Sequence, residues 1–164
     1  MSRLETSLSG IKLKNPVIPA SGTFGFGYEM ADVYDLNILG GISLKGTTLE
    51  ERFGNPTPRI AECRDGLLNA IGLQNPGVEY VIKHELPKIR ALYDGVLIAN
   101  ISGFSVDEYV KVACAFDNAP EIDILEINVS CPNVRHGGMA FGTDCIAAGE
   151  VTRAVKEKTH KPVY

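Results

Sequence analysis

Residues 122–127 form an apolar, β-branched run broken only by Asp123 and Glu126, and they lead directly into Asn128-Val-Ser-Cys-Pro-Asn133. A run of this kind reads as a buried strand of a parallel sheet, which restricts the chain to the α/β folds. Pro132 pushes Cys131 into an extended conformation. The thiol therefore sits where the strand ends and the glycine-rich stretch Arg135-His-Gly-Gly-Met-Ala-Phe-Gly142 begins. In barrels of alternating strands and helices, chemistry is done at the carboxyl ends of the strands. A thiol placed there, among side chains able to hydrogen-bond, is a candidate acid/base or nucleophile.

Further strands are expected at residues 15–20, 40–45 and 95–102, with the Cys131 strand as the fourth and residues 161–164 as the start of a fifth. Residues 28–34 read as a helix. Residues 78–93 carry Val78, Val81, Ile82, Leu86, Ile89 and Tyr93 at helical spacing, and Pro87 should kink or divide that helix. A third helix opens on the capping box Ser105-Val-Asp-Glu108, with Val106, Tyr109, Val110, Ala113 and Phe116 as its apolar stripe. A fourth, over residues 143–158, buries Ala147, Val151, Ala154 and Val155. Residues 1–14 (4–10, then 11–14) read as a small hairpin closing the bottom of a barrel. The polar segment 47–76 is too long for a simple connection, and loops of that length are usually functional.

Repeated strand–helix units mean either a (β/α)8 barrel or an open doubly wound sheet. No G-x-G-x-x-G follows the first strand and no phosphate-binding G-x-x-x-x-G-K-[ST] occurs, which weakens the second option. A full barrel takes about 250 residues. The 164 residues here supply about its first half, as a single domain 1–164 expected to be truncated within the fifth strand.

Composition narrows the function. A hydrophobic share of 45% supports a packed core, and a formal charge of −4 with mixed signs argues against nucleic-acid or anionic-membrane binding. No stretch is long and apolar enough to span a membrane, and residues 1–15 alternate charged and apolar side chains, unlike a signal peptide. Cys63, Cys114, Cys131 and Cys145 form no C-x-x-C pair. They read as free thiols in a reducing cytoplasm, with no metal site and no disulfide framework. Asp and Glu show no close pairing suggestive of a carboxylate dyad.

Polar residues recur at successive strand ends: Ser21, Lys45, Asn100, then Asn128 and Cys131. One such residue means little, but five in register converge on one mouth. Ala20-Ser-Gly-Thr-Phe-Gly25, Ser43-Leu-Lys-Gly-Thr47, Gly54-Asn-Pro-Thr-Pro-Arg59, Asn69-Ala-Ile-Gly-Leu-Gln-Asn-Pro-Gly77 and Asn128-Val-Ser-Cys-Pro-Asn133, in that order along the chain, closely resemble the dihydroorotate dehydrogenases. The cysteine of the last motif is similar to class 1, since the membrane-bound class 2 has serine there. Asn69-Ala-Ile-Gly-Leu73 and His136-Gly-Gly-Met-Ala-Phe-Gly-Thr-Asp144 resemble the NAD-linked 1B branch.

That resemblance implies an FMN-containing (β/α)8 barrel that oxidises dihydroorotate to orotate in pyrimidine (UMP) biosynthesis. It implies Cys131 as the base taking the C5 proton while FMN takes the C6 hydride. A free thiol has a pKa near 8.5, so a modestly electropositive site makes it a usable base. The resemblance places Ser21, Lys45, Gly46, Asn100 and Asn128 on FMN. Lys45, Asn69, Ala70, Ile71, Gly72, Leu73, Asn128 and Asn133 would hold the substrate, Asn suiting an imide-like ring because it offers donors and an acceptor. The 1B-like motifs imply an electron-transfer partner subunit carrying FAD and a 2Fe-2S cluster, and a homodimer core within a heterotetramer. This chain shows no Rossmann fingerprint and no cluster-binding cysteines for those groups. Residues 134–143, with hinges at Gly137, Gly138 and Gly142, are expected to form a lid. The competing readings are a related barrel that reduces pyrimidines, of the dihydropyrimidine dehydrogenase kind, and an inactive half-barrel.

Overall fold

The computed structural model describes residues 3–130 and 139–164, with the backbone alone described at 139 and 140. Cys131, Asn133 and the glycines at 137 and 138 lie outside the described residues.

The chain begins with an antiparallel hairpin, β1 (Thr6–Leu8) and β2 (Ile11–Leu13). A one-turn helix α1 (Ser21–Phe24) follows, and then two 3-10 turns, Tyr28–Asp32 and Leu36–Ile38. The central sheet is parallel, in the order β3 (Gly41–Ser43), β6 (Val96–Ile101), β7 (Ile124–Ile127). Between its first two strands lie a second hairpin, β4 (Ile60–Cys63) with β5 (Gly66–Asn69), and a helical stretch. That stretch runs as α2 (Val78–Tyr80), a π-helical turn Val81–Glu85, and α3 (Leu86–Arg90). Helix α4 (Val106–Asp117) joins β6 to β7, and α5 (Met139–Gly142) and α6 (Cys145–Lys156) come after β7.

Residues 162–164 then lie parallel to β7. The Leu125 N–H donates to Pro162 O at 2.9 Å, Tyr164 N–H to Leu125 O at 3.0 Å, and Ile127 N–H to Tyr164 O at 2.8 Å. The expected fifth strand is thus present as a bridge against the edge of the sheet. A parallel sheet with helical crossovers is the α/β architecture that the strand–helix alternation calls for.

The two faces of this sheet bury different things. Ile42, Leu44, Leu97, Ala99, Ile101 and Leu125 belong to the main core with Tyr109, Val112, Ala113 and Phe116 of α4 and Val151 and Val155 of α6. Val96, Ile98 and Ile124 form a separate cluster with Leu13 of β2, against which Leu8, Ile11 and Ile18 pack. Successive strand residues alternate faces, so the second cluster is the inner face near the strands' amino ends. The first hairpin covers it, as expected of a bottom plug.

Several local expectations need correction. Residues 15–20 form no strand, because Pro16 and Pro19 remove the donors a ladder needs; Val17 O still accepts from the N–H of Gly40 at 3.0 Å. Residues 28–34 give only the 3-10 turn. Segment 47–76 is not a plain loop, since it contains the β4–β5 hairpin, whose two strands are exposed throughout. Pro87 divides its helix as expected, sitting in the first turn of α3 directly after the π-helical turn. Residues 139–142 are helical, so the expected loop 134–143 is not a loop along its whole length.

The helix caps follow their side chains. Ser105 Oγ accepts from the Glu108 N–H at 3.2 Å, while Glu108 Oε2 accepts from the N–H of Phe104, one residue before the cap, at 2.7 Å. Asp144 Oδ1 accepts from the N–H groups of Ile146 and Ala147 at 2.8 and 3.2 Å, starting α6. Within the α4 stripe, Val112 takes the buried place expected of Val110.

Candidate active site

The inner face changes character along each strand. On β6, Ile98 is followed two residues later by Asn100 and then Ser102; on β7, Ile124 is followed by Glu126 and then Asn128. On β3, Gly41 is followed by Ser43. The apolar floor therefore gives way to a polar layer at the carboxyl ends of three adjacent strands.

Strand β6 is buried along its entire length, and Asn100 is 2% exposed. A buried amide must find partners. Asn100 Nδ2 donates to Glu126 Oε1 at 2.9 Å, and Asn128 Nδ2 donates to Asn100 Oδ1 at 3.1 Å. Ser43 Oγ donates to Glu126 Oε2 at 2.6 Å. Asn128 Oδ1 in turn accepts from Ser130 N at 3.2 Å and Ser130 Oγ at 3.3 Å, fixing the backbone at Ser130. Asn128 lies one residue beyond β7, but its N–H still donates to Ile101 O at 2.8 Å. Tyr109, buried on α4, donates its hydroxyl to Asn128 O at 2.7 Å.

The exit of β3 carries an irregularity that shapes this layer. Ser43 pairs with Ile98 and Thr47 with Ile101, so β3 spends four steps where β6 spends three. The extra residue is a bulge over Lys45 and Gly46, closed by Thr47 Oγ1 donating to Lys45 O at 2.9 Å. Bulges re-aim side chains and are over-represented beside active sites. Gly46 is thereby pressed onto the polar layer. A Cβ there would lie 2.8 Å from Asn100 Oδ1, 3.0 Å from Leu73 Cδ1 and 3.4 Å from Ser102 Oγ. Ser102 Oγ is buried with no hydrogen-bond partner among the described residues.

Of the expected residues, Gly46, Asn100 and Asn128 are brought into one cluster. Lys45 adjoins it within the bulge, half-buried. In the 69–73 stretch, Leu73 comes against Gly46, held at a positive φ of 59°. Asn69 and Ala70 are exposed at the end of the second hairpin. That end is fastened to segment 53–59: Asn55 Nδ2 donates to Ala70 O at 2.9 Å, Asn55 N to Ile71 O at 3.0 Å, and Ala70 N to Arg59 O at 2.8 Å. Gly72, also at positive φ, sits where any side chain would strike Asn55. Ser21 opens α1, which touches β3, but it is not joined by hydrogen bonds to the Asn100 cluster. Cys131 and Asn133 lie outside the described residues. Sequence reasoning missed Ser43, Ser102, Tyr109 and Glu126. Glu126 was legible, since it precedes Asn128 by two and so shares its face.

At the opposite end of the sheet the polar groups hold the fold together. Arg90 donates to Gly95 O at 2.6 Å and to Asp123 Oδ2 at 3.1 Å, and Asp123 Oδ2 accepts from the Leu97 N–H at 2.8 Å. Among the described residues, Cys63, Cys114 and Cys145 are free thiols, and no helix is long and apolar enough to cross a membrane.

The polar layer sits where relatives of known type can be compared. The family model for dihydroorotate dehydrogenase matches residues 3–164. The chain is 58% identical over 164 residues to the catalytic subunit of dihydroorotate dehydrogenase B (NAD(+)) of Anoxybacillus flavithermus, covering 100% of this chain and 52% of that protein. It is 55% identical over 161 residues to the subunit of the same name from Oceanobacillus iheyensis, covering 98% and 53%, and 53% identical over 163 residues to that of Malacoplasma penetrans, covering 99% and 53%. A crystal structure of dihydroorotate dehydrogenase from Eimeria tenella, in complex with ferulenol, superposes with a TM-score of 0.71 at 21% identity, over 94% of this chain and 43% of that one. The chain spans about half the length of the curated relatives it matches. By family model and by relatives across its length, this chain belongs to the dihydroorotate dehydrogenase family.

Proposed function

We propose that the full-length protein oxidises dihydroorotate to orotate with FMN, and that residues 1–164 are the amino-terminal half of its single (β/α)8 barrel. The observation that supports this most is the polar layer of Asn100, Asn128 and Gly46 at the carboxyl ends of three parallel strands. The residues present fit a flavin. Gly46 lets the backbone lie closer to the polar layer than a side chain would allow, Ser102 Oγ is buried without a partner among the described residues, and the Asn amides retain N–H groups beyond the bonds named above for a heterocycle's oxygens. Gly46, Asn100 and Asn128 would hold FMN, with Lys45 beside it and Ser21 reaching it from α1. FMN, when bound, supplies the acceptor for the hydride lost from C6 of dihydroorotate.

The protein's own part is proton transfer, orientation and charge. Cys131 takes the proton from C5. Lys45, at the bulge, places a cation where negative charge collects as the substrate is oxidised. Asn69, Asn128 and Asn133 hold the pyrimidine ring, with the backbone of Ala70, Ile71, Gly72 and Leu73 closing the pocket. The catalytic subunits named above support a 1B-type assembly, in which a homodimer of barrels is joined by a subunit carrying FAD and a 2Fe-2S cluster. The class 1 reading puts the enzyme in the cytoplasm.

Product analysis of full-length protein given dihydroorotate or dihydrouracil tests this reading. Orotate formed from the first and no product from the second is expected. Turnover of dihydrouracil in preference to dihydroorotate would assign the chain to a pyrimidine-reducing barrel instead.

A further inference from the structure

Glu126 interrupts an otherwise apolar strand, and no role in the reaction has been given to it so far. Both its oxygens are engaged, Oε1 by Asn100 Nδ2 and Oε2 by Ser43 Oγ. An ionised carboxylate accepts hydrogen bonds and donates none. Asn100 must therefore turn its NH2 toward Glu126 and its carbonyl oxygen toward Asn128. Asn128 must then present its NH2 to that oxygen, at 3.1 Å, and its own oxygen to Ser130. The chain is held at both ends, by the acceptor-only carboxylate of Glu126 and by the Ser130 N–H, which can only donate.

We propose that Glu126 is a positioning residue, which holds the Asn100 amide against Asn128 in the orientation that leaves an N–H of each for an acceptor-rich ligand. The inference rests on the proposed function, because FMN and orotate are the ligands whose oxygens those N–H groups would meet. Glu126 touches neither, and it acts through Asn100. Without it Asn128 keeps its sense, because the Ser130 N–H can only donate to its oxygen, but the Asn100 NH2 loses its acceptor and the side chain is free to swing away from Asn128.

The test uses full-length protein, stripped of FMN and reconstituted, with FMN and orotate affinities and the unfolding temperature of the FMN-free protein measured together. Glu126→Leu removes the lock and is expected to weaken FMN or orotate binding at least about tenfold, the equivalent of one hydrogen bond lost at the ligand. Glu126→Gln keeps the shape and an acceptor oxygen for Asn100, and is expected to bind both ligands within about twofold of wild type. Val155→Ala, a buried truncation on α6 outside the polar layer, gives the effect of instability alone and is expected to bind both ligands as wild type. Wild-type affinities in Glu126→Leu would overturn the inference; so would a loss of about tenfold or more in Glu126→Gln, and that variant decides even if Glu126→Leu is not recovered folded. A loss in Val155→Ala matching that of Glu126→Leu would overturn it too. Wild-type protein that takes up no FMN would overturn the proposed function as well, whereas wild type with FMN beside unaffected Glu126 variants overturns this inference alone.

Discussion

Asn100 and Glu126 are register partners on adjacent parallel strands, and their side chains meet on the inner face, Nδ2 to Oε1, at 2.9 Å. An amide on a fully buried strand and a carboxylate on its neighbour satisfy each other where apolar residues would otherwise pack. Asn100→Ala breaks this pair and leaves the Asn128 amide without its acceptor. A loss of about 1–3 kcal/mol in stability is expected, because a polar group is left unpaired, together with reduced FMN content. Denaturant unfolding and the flavin-to-protein absorbance ratio measure the two effects. An Asn100→Ala protein that retains full flavin would remove Asn100 from the cofactor site.

The bulge makes Gly46 a second point of control. In Gly46→Ala the new methyl would lie 2.8 Å from Asn100 Oδ1 and 3.0 Å from Leu73 Cδ1, so one of them must move. Overpacking of this kind costs about 1–3 kcal/mol, and here it displaces a residue of the flavin layer. Lower FMN occupancy is the expected outcome, read from the absorbance of purified protein. Unchanged occupancy would mean the cofactor does not lie over the bulge.

Lys45→Met keeps the length of the side chain and removes its charge. If the cation stabilises charge developing on oxidation of the substrate, kcat falls on the order of a hundredfold while FMN stays bound. Steady-state kinetics and a flavin spectrum separate the two. Activity within a factor of about two of wild type, well short of that loss, would return Lys45 to the role of an ordinary strand-exit lysine.

Much of this site was legible in the sequence, and the parts that were not have physical reasons. The alternation Ile98, Asn100, Ser102 and Ile124, Glu126, Asn128 contains both the apolar floor and the polar layer. Glu126 was passed over as an interruption of a hydrophobic run when it was the partner of Asn100. The bulge at Lys45–Gly46 leaves no mark in residue type, because it depends on how β3 is paired with β6. The β4–β5 hairpin escaped notice because Ile60-Ala-Glu-Cys63 and Gly66-Leu-Leu-Asn69 bury neither face. Gly66, directly after the two-residue turn Arg64-Asp65, was its local trace, since glycine is favoured at the fourth position of a turn. Residues 15–20 misled in the opposite way: Val17 and Ile18 suggest a strand that Pro16 and Pro19 prevent.

The end of α4 offers a pH-dependent test away from the site. Asp117 Oδ1 accepts from the N–H groups of His160 and Lys161, both at 2.9 Å, and Oδ2 lies 3.0 Å from His160 Nδ1. Burial alone would raise the Asp117 carboxyl, but the hydrogen bonds from His160 and Lys161 and the Lys161 charge outweigh it and hold the carboxyl below its usual value. A depressed carboxyl lends stability that is present above its unfolded value, near 3.9, and lost as pH falls through the folded value. Asp117→Ala is expected to cost about 1–3 kcal/mol near neutral pH. Its deficit against wild type should shrink below about pH 4, as followed by thermal unfolding across pH. A deficit independent of pH would show that the carboxylate charge contributes nothing.

The proposed chemistry is tested most directly by mixing full-length protein with dihydroorotate without oxygen and following the flavin absorbance, in wild type and in Cys131→Ser. The expected result is rapid bleaching in wild type. In Cys131→Ser the flavin stays bound and bleaching near neutral pH is slower by about a hundredfold or more, recovering as pH rises, because serine is a far weaker acid than a thiol and its basic form is scarce. A wild-type flavin that dihydroorotate fails to bleach would contradict the assigned reaction, and equal rates in the two proteins would contradict Cys131 as its base.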